Sequence, residues 1–274
     1  MKNILHRNNV TIKGKGENVM LFAHGFGCSQ EAWKRITHAF EHDYKLILFD
    51  YVGAGKSDIS AYDKSKYSTL DGYAQDILEI CHELNIKDAI FVGHSVSAMI
   101  GALASIKYPA IFKKLIFIAP SACYLNSNGY IGGFEQEDID ALFEIMDDDF
   151  IRWAKLMSPQ IMGNPDMPEL AREMENNFCS TDREIVKDFA RVRFLSDNRK
   201  DLPNIPVESL TLQCSEDIIA PLETGKYIYE HAPNNTMVIL KATGHSPQMS
   251  APEETIAEIK AFCKNEILYL KYNA

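Results

Sequence analysis

An alcohol is a poor nucleophile at neutral pH unless a base stands within hydrogen-bond reach and an acid orients that base. The sequence offers a candidate for each role. In Ala89-Ile90-Phe91-Val92-Gly93-His94-Ser95-Val96-Ser97-Ala98 an apolar run leads into small residues and then into a helical pattern beginning near Val96. A tight strand-to-helix turn of this kind raises a serine above a sheet, in a strained backbone conformation that demands small neighbours. Gly93 meets the first small position, and Ser97 stands where a second glycine is usual. The same letters would also suit an ordinary helix start with an N-cap serine, so Ser95 needs partners to count as a nucleophile.

Those partners follow in order. After the apolar run at 211–214 come Ser215-Glu216-Asp217-Ile218-Ile219-Ala220-Pro221, and after a later run come Ala242-Thr243-Gly244-His245-Ser246-Pro247. Serine, then a carboxylate, then histidine, each just past a strand, is the chain order of a nucleophile-elbow triad. Asp217 sits at the motif's usual offset, with Glu216 as the rival acid. The expected catalytic set is therefore Ser95, Asp217 and His245. A further segment, Phe22-Ala23-His24-Gly25-Phe26-Gly27, closes the first buried run. Its glycines allow the backbone to turn so that the Phe26 N–H, with the Val96 N–H, forms an oxyanion hole, each donor lowering the barrier by roughly 3–4 kcal/mol.

These loops need rigid elements behind them. The runs 19–24, 45–50, 88–93, 114–119, 207–213 and 236–241 are of strand length and continuously apolar, as in a parallel sheet covered on both faces. Helical patterns separate them at 30–43, 70–85, 96–108, 222–232 and 253–269; Leu70, Tyr73, Ala74, Ile77, Cys81 and Leu84 illustrate the spacing. Strand–helix alternation predicts an α/β fold with a mostly parallel central sheet flanked by helices. Between about 125 and 200 the pattern is helical only, with four candidate helices. The reading is one domain, its core formed by 1–124 and 201–274, with an inserted four-helix lid at 125–200.

Composition narrows the classes of function. The formal net charge of −10 argues against nucleic-acid binding and against docking on anionic lipid. No run of 18 apolar residues is present to span a membrane, and the first ten residues, with Lys2, His6 and Arg7, do not read as a signal peptide. Six cysteines are scattered without a C-x-x-C pair, which suits a reduced, cytoplasmic compartment. Asp147-Asp148-Asp149 reads as a solvated helix end rather than a metal site. The segment Asp50-Tyr51-Val52-Gly53-Ala54-Gly55-Lys56-Ser57 ends like a phosphate-binding loop, but Asp50 stands where glycine is required and no helix pattern follows. His24, His94 and His245 are expected near one another without forming a ligand set. Neither metal nor cofactor is expected.

At these motifs the chain resembles the α/β-hydrolase superfamily, and within it the RsbQ-like subfamily of stress sigma-factor regulator hydrolases, to which the plant karrikin and strigolactone receptors also belong. The resemblance is carried by His24-Gly25-Phe26-Gly27, Phe49-Asp50-Tyr51-Val52-Gly53, Leu70-Asp71-Gly72-Tyr73-Ala74, Gly93-His94-Ser95-Val96, Cys123-Tyr124-Leu125-Asn126, Phe178-Cys179-Ser180-Thr181-Asp182 and Asp217-Ile218-Ile219-Ala220-Pro221. Ser97 is closer to the plant receptors than to the bacterial regulator. The resemblance implies a serine hydrolase with a small apolar pocket between lid and core, lined by Phe26, Phe134, Trp153, Met157, Phe178, Phe189 and Phe194, with Val96 at its floor. Such walls suit a small hydrophobic ester or lactone. It also implies regulation of the general stress response through a PAS-domain serine/threonine phosphatase. The alternatives are a ligand sensor with little turnover and a metabolic carboxylesterase without a signalling partner.

Overall fold

The computed structural model describes residues 3–266. Seven strands, β1 (Thr11–Lys13), β2 (Asn18–Ala23), β3 (Tyr44–Leu48), β4 (Ala89–His94), β5 (Phe112–Ile118), β6 (Glu208–Glu216) and β7 (Asn235–Thr243), form one sheet in the order β1-β3-β2-β4-β5-β6-β7. All neighbours are parallel except β1 and β3. The helices are α1 (Ile4–Arg7), α2 (Leu70–Glu83), α3 (Val96–Lys107), α4 (Gln136–Asp148), α5 (Phe150–Met162), α6 (Pro168–Ser180), α7 (Arg183–Leu195), α8 (Leu222–His231), α9 (Pro247–Ser250) and α10 (Pro252–Cys263). This is an α/β-hydrolase fold.

Because side chains alternate across a strand, each apolar run feeds two cores. Leu21 and Ala23 of β2 face a core shared with α2, α3 and the segment 136–195, while Met20 and Phe22 face a second core with Trp33, Ile36, Phe40, Ile259 and Phe262. Both faces are dry, which is why the strands read as continuous rather than alternating. In α2 the expected stripe Leu70, Tyr73, Ala74, Ile77 and Cys81 is buried.

Two expected helices differ in the structure, and one strand was not expected. The helical pattern at 30–43 is two short 3-10 turns, Gln30–Trp33 and Thr37–Ala39. The spacing Trp33, Ile36, Phe40 fits either helix type, and 3-10 turns suffice to seat all three rings and branches on the sheet. Strand β1 was not expected: three half-exposed residues carry no apolar run, and the sheet edge supplies their pairing. The last helix ends at Cys263, short of the expected 269; residues 267–274 of that expectation and of the expected core segment lie outside the described residues.

Between β5 and β6 the described chain runs through α4, α5, α6 and α7. Asp147 and Asp148 close α4, where Asp147 pairs with Lys187 and Arg191, and Asp149 caps the N-terminus of α5 through its bond from Arg152 N–H. The phosphate-loop look-alike has a structural use. The Asp50 carboxylate accepts from the backbone N–H groups of Gln30 and Lys56 and from the Asn9 side chain, tying three loops together.

Candidate functional site

In a parallel sheet every strand delivers its carboxyl end to the same edge, and ligand crevices of open α/β sheets lie there. Four such ends converge. β2 leads into His24-Gly25-Phe26-Gly27, β4 into Ser95, β6 into Asp217 and β7 into Gly244-His245.

Ser95 has φ 57° and ψ −123°, a conformation that L-residues rarely adopt, and it is fixed by donation of its N–H to Ile118 O (2.8 Å). The turn leaves no room at Gly93, where a Cβ would lie 2.7 Å from Ser97 O and 2.6 Å from the Phe91 ring. Ser95 Oγ lies 2.7 Å from His245 Nε2, and His245 Nδ1 lies 2.7 Å from Asp217 Oδ2. A carboxylate on Nδ1 places the imidazole proton there and leaves Nε2 to accept the serine hydroxyl. The second oxygen of Asp217 accepts from the N–H groups of Ile219 and Ala220 (2.8 and 3.1 Å), so the acid is held from both sides. Of the two carboxylates considered, it is Asp217 that reaches the histidine; Glu216 is exposed.

His245 is clamped through its own backbone. Its N–H donates to Ile161 O (2.9 Å), one of the last carbonyls of α5, which have no acceptor duty within the helix. Its carbonyl accepts from His94 Nε2 (2.7 Å). His94 therefore carries its proton on Nε2 and is a packed residue of the turn. Burial, with the neighbouring His245, pushes its pKa down to about 3. His24 is the opposite tautomer: Nδ1 donates to Gly25 O and Nε2 accepts from Tyr51 N–H, and burial lowers its pKa too.

No hydrogen bond engages the N–H of Phe26 or of Val96 among the described residues. Val96 is the first residue of α3, where the N–H has no intrahelical acceptor and the helix dipole favours an anion. Gly27, at φ +69°, has the Phe178 ring where a Cβ would stand, 1.9 Å away. Only glycine fits that turn under that ring.

The rings among the expected pocket residues form two clusters. Phe26 meets Phe178, Phe189 and Trp153 at centroid distances of 5.4, 5.7 and 6.3 Å. Phe194 meets Phe134 and Tyr124, both at 5.5 Å. Met157 is half-buried against the same core. The rings pack edge to face or tilted, and a cavity of ≈ 20 Å³, lined by Phe26 and Phe189 but not by the other expected pocket residues, has room for about one water molecule rather than an ester. A cleft of ≈ 590 Å³ lies farther out, between Pro159–Pro168 of the α5–α6 turn and Ile218, Thr243 and Gly244, and Ser95 does not line it.

Two residues of the site were not singled out from sequence. Tyr124 OH lies 3.4 Å from Ser95 Oγ, and Arg193 is buried (3% exposed) among the rings. Arg193 stands on the stripe Val186, Phe189, Ala190, Arg193, Phe194. A charge at helical spacing within an apolar stripe was the available signal.

Residues 20–259 match the alpha/beta hydrolase family. The chain is 38% identical to the karrikin insensitive 2 receptor CA of Petunia hybrida over 91% of its length and 93% of the relative's. It is also 38% identical to strigolactone esterase D14 of Arabidopsis thaliana, over 92% and 94% of the two chains. Among solved structures it superposes on a hydrolase from Oleispira antarctica with a TM-score of 0.94 and 36% identity, covering 96% of this chain and 97% of that one. The chain belongs to the alpha/beta hydrolase family.

Proposed function

We propose that this protein is a serine hydrolase that cleaves a small hydrophobic ester or lactone with Ser95, His245 and Asp217, beneath a lid formed by 125–200. The observation that carries the reading is the hydrogen-bonded line from Ser95 Oγ through His245 to Asp217. In the proposed reaction Ser95 Oγ attacks the carbonyl carbon as His245 Nε2 takes its proton. The N–H groups of Phe26 and Val96 receive the oxyanion. His245 then returns the proton to the leaving alcohol oxygen. Water, deprotonated by the same nitrogen, adds to the acyl group and releases the acid from Ser95. Asp217 holds the imidazole in the required tautomer. The walls of Phe26, Phe134, Trp153, Met157, Phe178, Phe189 and Phe194 support an apolar ligand, which enters only when α5, α6 and α7 shift from the packed arrangement.

The test is hydrolysis of 4-nitrophenyl butyrate. The wild-type protein is expected to turn it over, and Ser95→Ala to lose at least about 10³-fold in kcat/KM. Equal rates for the two proteins would overturn the assignment.

A regulatory role is the second part of the proposal: an RsbQ-like positive regulator of the stress response acting through a PAS-domain serine/threonine phosphatase. It is supported by the motif resemblance along the chain and by the similarity both to a relative named a receptor and to one named an esterase. Co-purification of the tagged protein with such a phosphatase supports it, and absence of binding with and without an ester ligand removes it.

A further inference from the structure

Arg193 is a cation without a hydrogen-bond or ion-pair partner among the described residues, packed on the ring whose hydroxyl lies 3.4 Å from Ser95 Oγ. Arginine keeps its charge in proteins, and a buried charge is normally paired. Arg7 follows the rule, with Asp76 and Glu79 at 3.0 and 2.6 Å. Arg193 does not. Its Nε is buried with no hydrogen-bond partner, and its side chain makes no hydrogen bond or ion pair among the described residues. It is held instead by aromatic faces, with Cζ at 4.2 Å from the Phe194 centroid, 4.5 Å from Tyr124 and 5.5 Å from Phe26. Two of those rings border the chemistry: Phe26 supplies an oxyanion donor in the proposed reaction, and Tyr124 OH lies 3.4 Å from Ser95 Oγ.

Ring contacts satisfy the charge from its faces but leave the planar edge of N–H donors unmet. That edge matches a carboxylate, which takes two parallel bonds from a guanidinium. We propose that Arg193 is a specificity-determining residue that selects ligands carrying a carboxylate in addition to the ester or lactone group, the carboxylate binding the guanidinium edge while the scissile carbonyl meets Ser95. This deepens the hydrolase reading and rests on it. In a chain of net charge −10, the cation also supplies at the site the attraction for an acidic ligand that the surface as a whole does not.

The test compares 4-nitrophenyl hemiglutarate with the neutral 4-nitrophenyl hexanoate. The ratio of kcat/KM for the acidic over the neutral ester is expected to fall about tenfold or more in Arg193→Leu, mainly through KM, and to be partly restored in Arg193→Lys. A ratio unchanged within about twofold in both variants overturns the proposal. Binding to the Ser95→Ala protein, measured by calorimetry, gives a readout free of turnover: the hemiglutarate is expected to bind tighter than the hexanoate, and the added Arg193→Leu to remove the preference. Preferential binding without hydrolysis of either ester by the wild type would sink the hydrolase reading and leave the Arg193 site standing. Hydrolysis of both without discrimination in either readout would do the reverse.

Discussion

The hydroxyl of Ser97 joins the start of α3 to the segments that follow β2 and β3. It donates to His24 O (2.5 Å) and accepts from Tyr51 OH (2.9 Å). Replacing Ser97 by the glycine usual at this position removes both bonds and leaves Tyr51 OH buried and unpaired. Ser97→Gly is therefore expected to lower stability by about 1–3 kcal/mol, read as a shift in the urea midpoint; an unchanged midpoint would show that the bonds contribute nothing. His94 makes a second prediction. Its pKa falls from 6.5 to about 3 in the folded chain, so between those values the unfolded chain binds a proton that the folded chain refuses. Stability must then fall as pH drops through that window, by up to about 1.4 kcal/mol per pH unit from this residue. His94→Gln, which keeps a donor near His245 O but does not titrate, is expected to give a flatter dependence between pH 6 and pH 4. Equal slopes would contradict it. At this scale Ser95, Asp217 and His245 were legible because their chemistry dictates type, order and position after a strand. Arg193 was hidden because a charged residue in a helical pattern ordinarily marks the solvent face.

At the scale of elements, the end of α5 is coupled to the histidine loop. Ile161 O takes the His245 N–H, and the Asn164 side chain donates to Thr243 O (2.9 Å) just ahead of it. The end of α5 and the turn after it thus help to position the imidazole. Removing the Asn164 bond is expected to cost about 1 kcal/mol in positioning, a loss of roughly fivefold in kcat on a 4-nitrophenyl ester. An unaltered kcat in Asn164→Ala would show that the loop is held without it. The central strands β2, β4, β5 and β6 were legible because both faces of the sheet are dry there, making each run largely apolar, whereas β7 buries only Met237 and Leu240. The two 3-10 turns at 30–39 and the edge strand β1 were not: i, i+3 spacing does not separate the helix types, and an edge strand of three half-exposed residues takes its conformation from its neighbour rather than from its own pattern.

For the whole molecule, the sheet and the helices α6 and α7 are held by different forces. The strands β2, β4, β5 and β6 are buried between layers, whereas α6 and α7 meet the rest of the chain partly through ion pairs, Lys34 and Arg35 with Glu173 and Lys64 with Asp188. Exposed pairs of this kind contribute only about 0–1 kcal/mol each. Backbone amides of α4–α7 are expected to exchange hydrogen faster than those of β4 and β5 and to slow when Ser95 carries an acyl group; uniform exchange would argue against a moving lid. The sheet gathers four loops at one edge, where Ser95, His245 and Asp217 meet. The most direct measurement is intact-mass and peptide analysis after exposure to a fluorophosphonate, which phosphonylates only an activated serine. One adduct per chain, on Ser95, absent from Ser95→Ala and formed much more slowly in His245→Ala, is the predicted result. Labelling elsewhere, or at the same rate without His245, would contradict it.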